Sequence, residues 1–133
     1  MSVPLSEFFA IEDNQPDDPS SSIVKSGMHK IILMPGTNNR YHILTPNANN
    51  NPFEFLLLEF PPHKDKTQVD LSAHKGEQCF YVLEGHLTLT IDDKTYQVSA
   101  GDSGFIASYN KHSFYNDSGK TAKAIIVTTD AVL

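Results

Sequence analysis

The sequence predicts an all-β sandwich or barrel, and three observations lead to this fold class. From residue 28 onward, short runs rich in β-branched and aromatic residues alternate with turn sequences at regular intervals. No amphipathic pattern of helical length follows residue 12. The 133 residues suffice for one domain with a hydrophobic core. We therefore expect a single β domain over residues 23–133.

Each strand is predicted from a run that ends in turn chemistry. The first runs are MHKIILMP, RYHILTP and FEFLLLEF, which are followed by GTNN, NANNNP and PPHKDK. The later runs are QCFYVLEG, HLTLTI, KTYQVS, SGFIAS, HSFYN and AKAIIVTT. Asp92 and Asp93 form a two-residue hairpin turn between HLTLTI and KTYQVS. The pattern corresponds to roughly ten strands, as in a jelly-roll barrel.

The first 22 residues are predicted to lie outside the barrel. Leu5, Phe8 and Phe9 have the i, i+3, i+4 spacing of a short helical turn that docks on the main body. The following stretch, EDNQPDDPSSS, is acidic and rich in proline and serine, which disfavours both helix and sheet. Residues 1–22 are therefore predicted to be a helical turn and an exposed linker.

The net charge and the cysteine content disfavour several classes of function. The formal net charge is −6 and Arg40 is the only arginine, which disfavours direct contact with nucleic acid. No apolar run reaches the length of a membrane span, so no membrane association is expected. Cys79 is the only cysteine, which favours a reducing, cytoplasmic setting. Its place in a strand predicts a buried, unreactive thiol.

The strand at 78–84 has apolar residues on both faces. Alternation places Gln78, Phe80, Val82 and Glu84 on one face and Cys79, Tyr81 and Leu83 on the other. Either the strand is buried on both sides or one side meets another subunit.

Polar residues at the start of this strand predict a site. His74 and Gln78 share a parity but would lie about 13 Å apart on a straight strand. Gly76 can adopt backbone angles that bend the chain between them. His112 and Phe114 share one face of a later strand. A bend at Gly76 would let the two histidines and Gln78 face one interior point, where they could bind a metal or a small ligand.

Other side chains are weaker candidates for the pocket. Phe80, Phe105 and Phe114 could give a ligand apolar contact, although a plain core role is favoured for all three. Arg40 and Tyr41 could contact an anionic effector through a guanidinium and a phenol. The alternative, a surface arginine beside a core tyrosine, is favoured on general grounds. His42 is a further candidate for the barrel mouth.

Residues 72–116 resemble the two motifs of the cupin superfamily. The first motif reads roughly His-x-His, three or four residues, Glu, six residues, Gly, and the second ends in His-x-x-x-Asn. The matching positions are His74, Gln78, Gly85, Gly101, His112 and Asn116. Ser72 replaces the first histidine, Gln78 replaces the glutamate, and Tyr109 or Asn110 stands near the usual proline.

The resemblance implies a metal site whose ligand set is incomplete here. Cupins hold a divalent metal with three histidines and one glutamate, and two of these four ligands are kept. The resemblance therefore leaves two possibilities. One divalent ion, Zn, Fe, Ni or Mn, is held by His74, Gln78 and His112, or the pocket works without metal.

Residues 3–129 also resemble the C-terminal sensor domain of helix-turn-helix cupin transcriptional regulators. The resemblance rests on the order of PLSEFFA, the acidic linker, YVLEG, AGDS and the His-x-x-x-Asn motif. It implies a homodimeric barrel that binds a small effector and influences DNA indirectly. The chain has no room for the DNA-binding helices, so it is either a fragment of a longer regulator or a free-standing relative.

Two other functions stay open. The first is a small metal-dependent enzyme, an oxygenase, isomerase or lyase that acts on a polar molecule. The expected lack of an inward carboxylate weighs against it, because Glu77 has the wrong parity and Glu84 lies at the far end of its strand. The second is a partner-binding barrel with an inactive pocket.

Overall fold

The computed structural model describes residues 10–12, 22–34, 38–46, 52–62 and 76–129. In these residues ten strands form two antiparallel sheets, which confirms the all-β prediction. The strands are β1 (Ala10–Glu12), β2 (Lys30–Leu33), β3 (Arg40–Ile43), β4 (Phe53–Phe60), β5 (Gln78–Glu84), β6 (His86–Ile91), β7 (Lys94–Ser99), β8 (Ser103–Ile106), β9 (His112–Tyr115) and β10 (Ala122–Thr129). The larger sheet has the order β1-β2-β3-β4-β10-β5-β8 and the smaller sheet β7-β6-β9.

The segment predicted as a turn and linker contains a strand. Ala10 pairs with Ile32, so β1 extends the larger sheet at its β2 edge. The helical turn predicted at Leu5, Phe8 and Phe9 lies outside the described residues. Within the described ranges, no helix is long and apolar enough to cross a membrane.

The hairpin between β6 and β7 has the two turn residues that the sequence predicts. Ile91 pairs with Lys94, which leaves Asp92 and Asp93 as the two turn residues between β6 and β7. Asp92 has a φ of 52°, a left-handed conformation that aspartate tolerates better than most residues.

The core lies between the two sheets and follows the alternation of each strand. On β4 the even-numbered positions 56, 58 and 60 are buried, and on β10 the even-numbered positions 122, 124 and 126 are buried. The smaller sheet contributes Leu87, Leu89 and Val98 to the same cluster. Burial of these apolar side chains supplies the main stabilisation, about 1.5–3 kcal/mol for each fully buried large side chain.

The other face of the larger sheet is open, and this corrects two predictions. Cys79 is exposed, and its neighbours Tyr81 and Leu83 are 47% and 45% exposed, so the predicted burial of the thiol is wrong. Phe105 is 55% exposed, so its predicted core role is wrong as well. The reason is parity: Ile106, next to Phe105, is 2% exposed and faces the core, which turns Phe105 outward.

A buried asparagine joins β9 to the end of β4. The Asn116 amide donates to the Phe60 carbonyl (2.7 Å) and to the Lys120 carbonyl (2.8 Å). Its Oδ1 accepts from the backbone N–H (3.0 Å) and hydroxyl (2.7 Å) of Ser118. We call this end of the sandwich the Asn116 end. Strand β4 finishes here, and β10 begins beside it.

The same end also receives the last residue of β5, because Lys123 near the start of β10 pairs with Glu84. Strand β5 therefore begins, with Gln78, at the opposite end of the sandwich. We call this the Gln78 end.

Tyr41 is a half-buried residue of β3. It packs with Ile43 against the buried cluster. Burial raises the pKa of Tyr41 from its usual 10.0 to about 12, because the ionised phenolate is poorly solvated there.

Gly85, in the tight turn between β5 and β6, is expected to tolerate no side chain. Its φ is +82°, and an added Cβ would lie 2.9 Å from both the Ala122 Cα and the Thr121 oxygen. Gly101 has a similar φ of +94° with nothing within 4 Å of the added Cβ. Gly101→Ala should therefore cost about 1–2 kcal/mol of unfolding free energy from backbone strain alone. Gly85→Ala should cost about 1–3 kcal/mol more through the clash with backbone. Urea unfolding measures both, and equal losses would contradict the close approach.

The raised pKa of Tyr41 predicts a loss of stability at high pH. The folded state holds the phenolic proton more tightly than the unfolded state, so the stabilisation is complete below pH 10 and disappears as the pH rises toward 12. The loss is about 2–3 kcal/mol for a shift of this size. Tyr41→Phe should remove this part of the pH dependence, and Tyr96→Phe, at a 44% exposed position, should keep it. Urea midpoints on either side of pH 10 test this, and identical pH profiles for wild type and Tyr41→Phe would contradict it.

Candidate functional site

The entry to β5 has an unusual backbone conformation. Gly76 has a φ of +100°, which residues with a Cβ rarely adopt. The Gly76 N–H donates to the Ser108 hydroxyl at 3.1 Å, which ties the strand entry to the loop before β9. His74 lies outside the described residues, so its approach to Gln78 stays a prediction.

Gln78 and His112 lie at the same end of the sandwich, on opposite sheets. Because Asn116 holds the far end of β9 at the Asn116 end, His112 at the start of β9 lies at the Gln78 end. The contact between Gly76 and Ser108 agrees with this placement, since Ser108 precedes His112 by only four residues. Packed sheets are about 10 Å apart, so one small molecule could contact both side chains.

The His112 ring is oriented by the backbone. The residue is 8% exposed, and its Nδ1 lies 3.1 Å from the Asn110 carbonyl oxygen. A carbonyl can only accept, so Nδ1 carries the proton and Nε2 carries the lone pair of the neutral ring. This arrangement is typical of histidines that bind a metal or accept a hydrogen bond from a ligand, because the backbone fixes both tautomer and direction.

An inward carboxylate was missed by the sequence analysis. Glu54 has the parity of the buried residues Leu56 and Leu58, so it faces the interior at the Gln78 end. Its Oε2 accepts from the Thr45 hydroxyl at 2.9 Å. The sequence analysis weighed only Glu77 and Glu84 as inward carboxylates and did not consider Glu54. The run FEFLLLEF carries one glutamate in each parity, so alternation alone could not tell which glutamate faces the core.

Three polar residues line up across the interior face of the larger sheet. Glu54 pairs with Thr128, and Thr128 pairs with Gln78. Glu54 and Gln78 are thus two strand spacings, about 10 Å, apart. Thr128 between them is 1% exposed. We call these three residues the polar row. For Thr128, the middle residue of the row, the only sequence signal was a threonine within a predicted strand.

Phenyl rings fill the interior next to the polar row. Phe114 contacts Phe80 edge-to-face with ring centroids 5.2 Å apart, and it contacts Phe60 at 5.8 Å. Such ring pairs add about 0.5–1.5 kcal/mol to simple burial. Phe80 and Phe114 therefore have the favoured core role, and their position also makes them the apolar floor beneath the Gln78 end.

The predicted pair of Arg40 and Tyr41 does not converge on one site. Tyr41 faces the core, and alternation places Arg40 on the opposite face of β3. His42 shares that outward face, where its Nε2 lies 2.9 Å from the Glu59 Oε1. Its predicted place at the barrel mouth is therefore wrong, because β3 presents Tyr41 and Ile43 to the interior.

The described residues alone do not make a complete metal site. Among them, no group of three histidine, cysteine, aspartate or glutamate side chains is close enough to hold an ion. His112 has the orientation of one imidazole ligand, and Gln78 offers a neutral oxygen that binds divalent ions weakly. The metal set of His74, Gln78 and His112 therefore stays a prediction, and no chemical step is derived through a metal here.

Comparison with known proteins gives two informative sequence relatives. The chain is 31% identical over 126 residues to the HTH-type transcriptional regulator PuuR of Escherichia coli (strain K12), a match that covers 94% of this chain and 64% of the regulator. The chain thus spans just under two thirds of that relative's length. It is also 36% identical over 73 residues to the H2HPP isomerase of Bacillus subtilis, which covers 54% of this chain and 30% of that protein.

The fold is shared with solved structures. An RmlC-like cupin from Shewanella frigidimarina NCIMB 400 superimposes with a TM-score of 0.68 at 20% sequence identity, over 84% of this chain and 93% of that one. At this identity the likeness shows the fold alone. The family model described as Cupin domain matches residues 56–128, from β4 to β10, and the chain therefore belongs to the cupin family.

Proposed function

We propose that this cupin domain binds a small polar molecule at the Gln78 end and is the effector-sensing part of a transcriptional regulator. The observation that carries the proposal is the polar row of Glu54, Thr128 and Gln78, which faces His112 from the other sheet. The hydrophobic cluster fills most of the remaining interior, and the buried Asn116 amide is hydrogen-bonded to backbone at the other end. A few polar side chains grouped beside apolar ones are the usual lining of a small-molecule pocket, so this grouping at one end favours a polar ligand there.

The chemistry of the row favours a ligand with both donors and acceptors. Glu54 accepts hydrogen bonds and carries negative charge, whereas the carboxamide of Gln78 both donates and accepts. Across the interior, the Nε2 of His112 accepts from a ligand N–H or O–H. A hydroxylated or amine-bearing molecule is complementary to three acceptors and one donor arranged in this way. The rings of Phe80 and Phe114 would cover its apolar part.

The regulatory role is supported by similarity to the regulator PuuR over 94% of this chain. The chain's net charge of −6 disfavours direct contact with DNA, so any effect on DNA would pass through an attached module. In this mechanism the ligand binds one arrangement of the domain more tightly and so raises its population. An open reading frame that encodes a helix-turn-helix segment directly upstream would support this role.

An enzyme is the second candidate, and Glu54 is the observation that favours it. An inward carboxylate at the Gln78 end is a candidate general base, and the sequence analysis had found none. The similarity to H2HPP isomerase covers 54% of this chain and points in the same direction. Turnover separates the two functions: a sensor returns its ligand unchanged, whereas an isomerase, a lyase or an iron-dependent oxygenase converts it.

Glu54→Gln should weaken binding of an amine-bearing compound that raises the melting temperature of the wild-type chain. The substitution keeps the size of the side chain but removes its charge, and a hydrogen bond to a charged group is worth about 1.5–3 kcal/mol. The dissociation constant should therefore rise about tenfold or more. Glu59→Gln is the matched control on the same strand, because Glu59 faces outward. A thermal-shift screen of hydroxylated and amine-bearing compounds identifies the ligand, and calorimetric titration measures its affinity. Equal affinities for the two variants would exclude Glu54 from the site.

His112→Ala should abolish ligand-induced stabilisation. A compound at 100 times its dissociation constant stabilises the folded state by about 2.7 kcal/mol, which is a clear rise in melting temperature. His86→Ala is the control, since His86 lies on the opposite face of β6 from Leu87 and hydrogen-bonds to Ser99 and Gln97. The control should keep the full shift. A full shift in both His112→Ala and the double variant His74→Ala, His112→Ala would place the ligand elsewhere.

A further inference from the structure

A single turn connects the two sheets at the Gln78 end. Strand β8 finishes with Ile106, which pairs with Gln78 on the larger sheet, and β9 begins with His112 on the smaller sheet. The chain between them makes a β-turn over residues 107–110, closed by a 3.2 Å hydrogen bond between the backbone groups of its first and last residues. The turn therefore lies at the rim of the candidate site.

Both neighbours of Tyr109 in this turn hold parts of the site. The Ser108 hydroxyl accepts from the Gly76 N–H at 3.1 Å. The Asn110 carbonyl accepts from the Nδ1–H of His112 at 3.1 Å. Tyr109 itself is 65% exposed. A large aromatic residue thus stands at the rim, between the residue that fixes the strand entry and the residue that orients the imidazole.

The backbone of Tyr109 is strained. Its φ is 66°, and it is the third residue of the turn, a position where a left-handed φ usually requires glycine or asparagine. For a residue with a large side chain such a φ is a genuine outlier. Among the described residues, the other non-glycine residue with a positive φ is Asp92, whose Oδ1 accepts from the Lys111 N–H at 3.0 Å. Aspartate tolerates this conformation through such local hydrogen bonds, which an aromatic ring does not offer.

We propose that Tyr109 is a ligand-contacting residue, whose ring covers the part of the bound molecule that reaches the rim. Tyr109 takes this role only if the ligand site at the Gln78 end exists, so the inference rests on the proposed function. Strained residues cluster at active sites and ligand clamps, where the strained conformation serves the site. A ring that is mostly exposed gains little packing energy to offset its backbone strain, so stability does not account for this tyrosine.

The chemistry of the site selects the probe for this contact. Glu54, on the inward face of the larger sheet, is complementary to a protonated amine, and the Nε2 of His112 accepts from a hydroxyl. Glu54 and Gln78 are about 10 Å apart across the sheet. A linear amino alcohol can therefore extend from the carboxylate toward the rim, where the ring of Tyr109 covers its methylene chain. The probes are the linear amino alcohols from ethanolamine to hexanolamine.

Three substitutions at Tyr109 separate the ring from the strain. Tyr109→Ala removes the ring and keeps the left-handed φ, whereas Tyr109→Gly removes both the ring and the strain. Tyr109→Phe keeps both and removes only the hydroxyl. Tyr109→Gly should melt about 2–8 °C higher than Tyr109→Ala, because glycine adopts this φ freely. Equal melting temperatures of these two variants would show that the backbone is not strained and would overturn the proposal.

Calorimetric titration with the amino alcohol that stabilises the wild-type chain most measures the contribution of the ring. Tyr109→Ala and Tyr109→Gly should both raise its Kd about tenfold, as for the loss of one aromatic contact. Tyr109→Phe should stay within about threefold of wild type, because it keeps the ring. Tyr81→Ala is the matched control and should leave the Kd unchanged, because Tyr81 is a similarly exposed tyrosine, 47%, on the outward face of β5.

Failure of this contact and failure of the proposed function give different results. Equal affinity of wild type and Tyr109→Ala for an amino alcohol that Glu54→Gln binds more weakly would overturn the role of Tyr109 and leave the site in place. A loss in Tyr109→Phe as large as that in Tyr109→Ala would overturn the role of the ring. If no amino alcohol of the series raises the melting temperature of the wild-type chain, neither the amine-binding site nor this contact stands.

Discussion

The continuous register of β4, β10 and β5 is the constraint on which the rest of this structure depends. Because side chains alternate along each strand, one register decides what faces the core and what faces outward. It puts Glu54, Thr128 and Gln78 in one inward row. One residue along, it puts Phe55, Val127 and Cys79 in one outward row. A slip of one residue on any of these strands would exchange its inward and outward side chains.

The two ends of the interior differ in the side chains that fill them. At the Asn116 end, the rings of Phe60 and Phe114 are in contact, Ala122 and Ala124 belong to the buried cluster, and the Asn116 amide donates to the Phe60 carbonyl. This end is therefore a packed apolar core with one hydrogen-bonded polar side chain, that of Asn116. The other end receives the polar row and His112 instead. The asparagine of the second cupin motif thus has a structural role here, whereas the histidine four residues before it faces the candidate site.

The sequence was sufficient for nine of the ten described strands, all except β1, but only partly for the site. Turn chemistry and β-branched runs predicted FEFLLLEF and AKAIIVTT with the bounds of β4 and β10, because hairpin turns depend on local residue types. The site depends on parity, which local patterns define only when one face is clearly polar. Gln78 and His112 were found through motif spacing. Glu54 was missed because Glu59 mirrors it in the other parity, and Cys79 was assigned to the core because both faces of β5 are apolar.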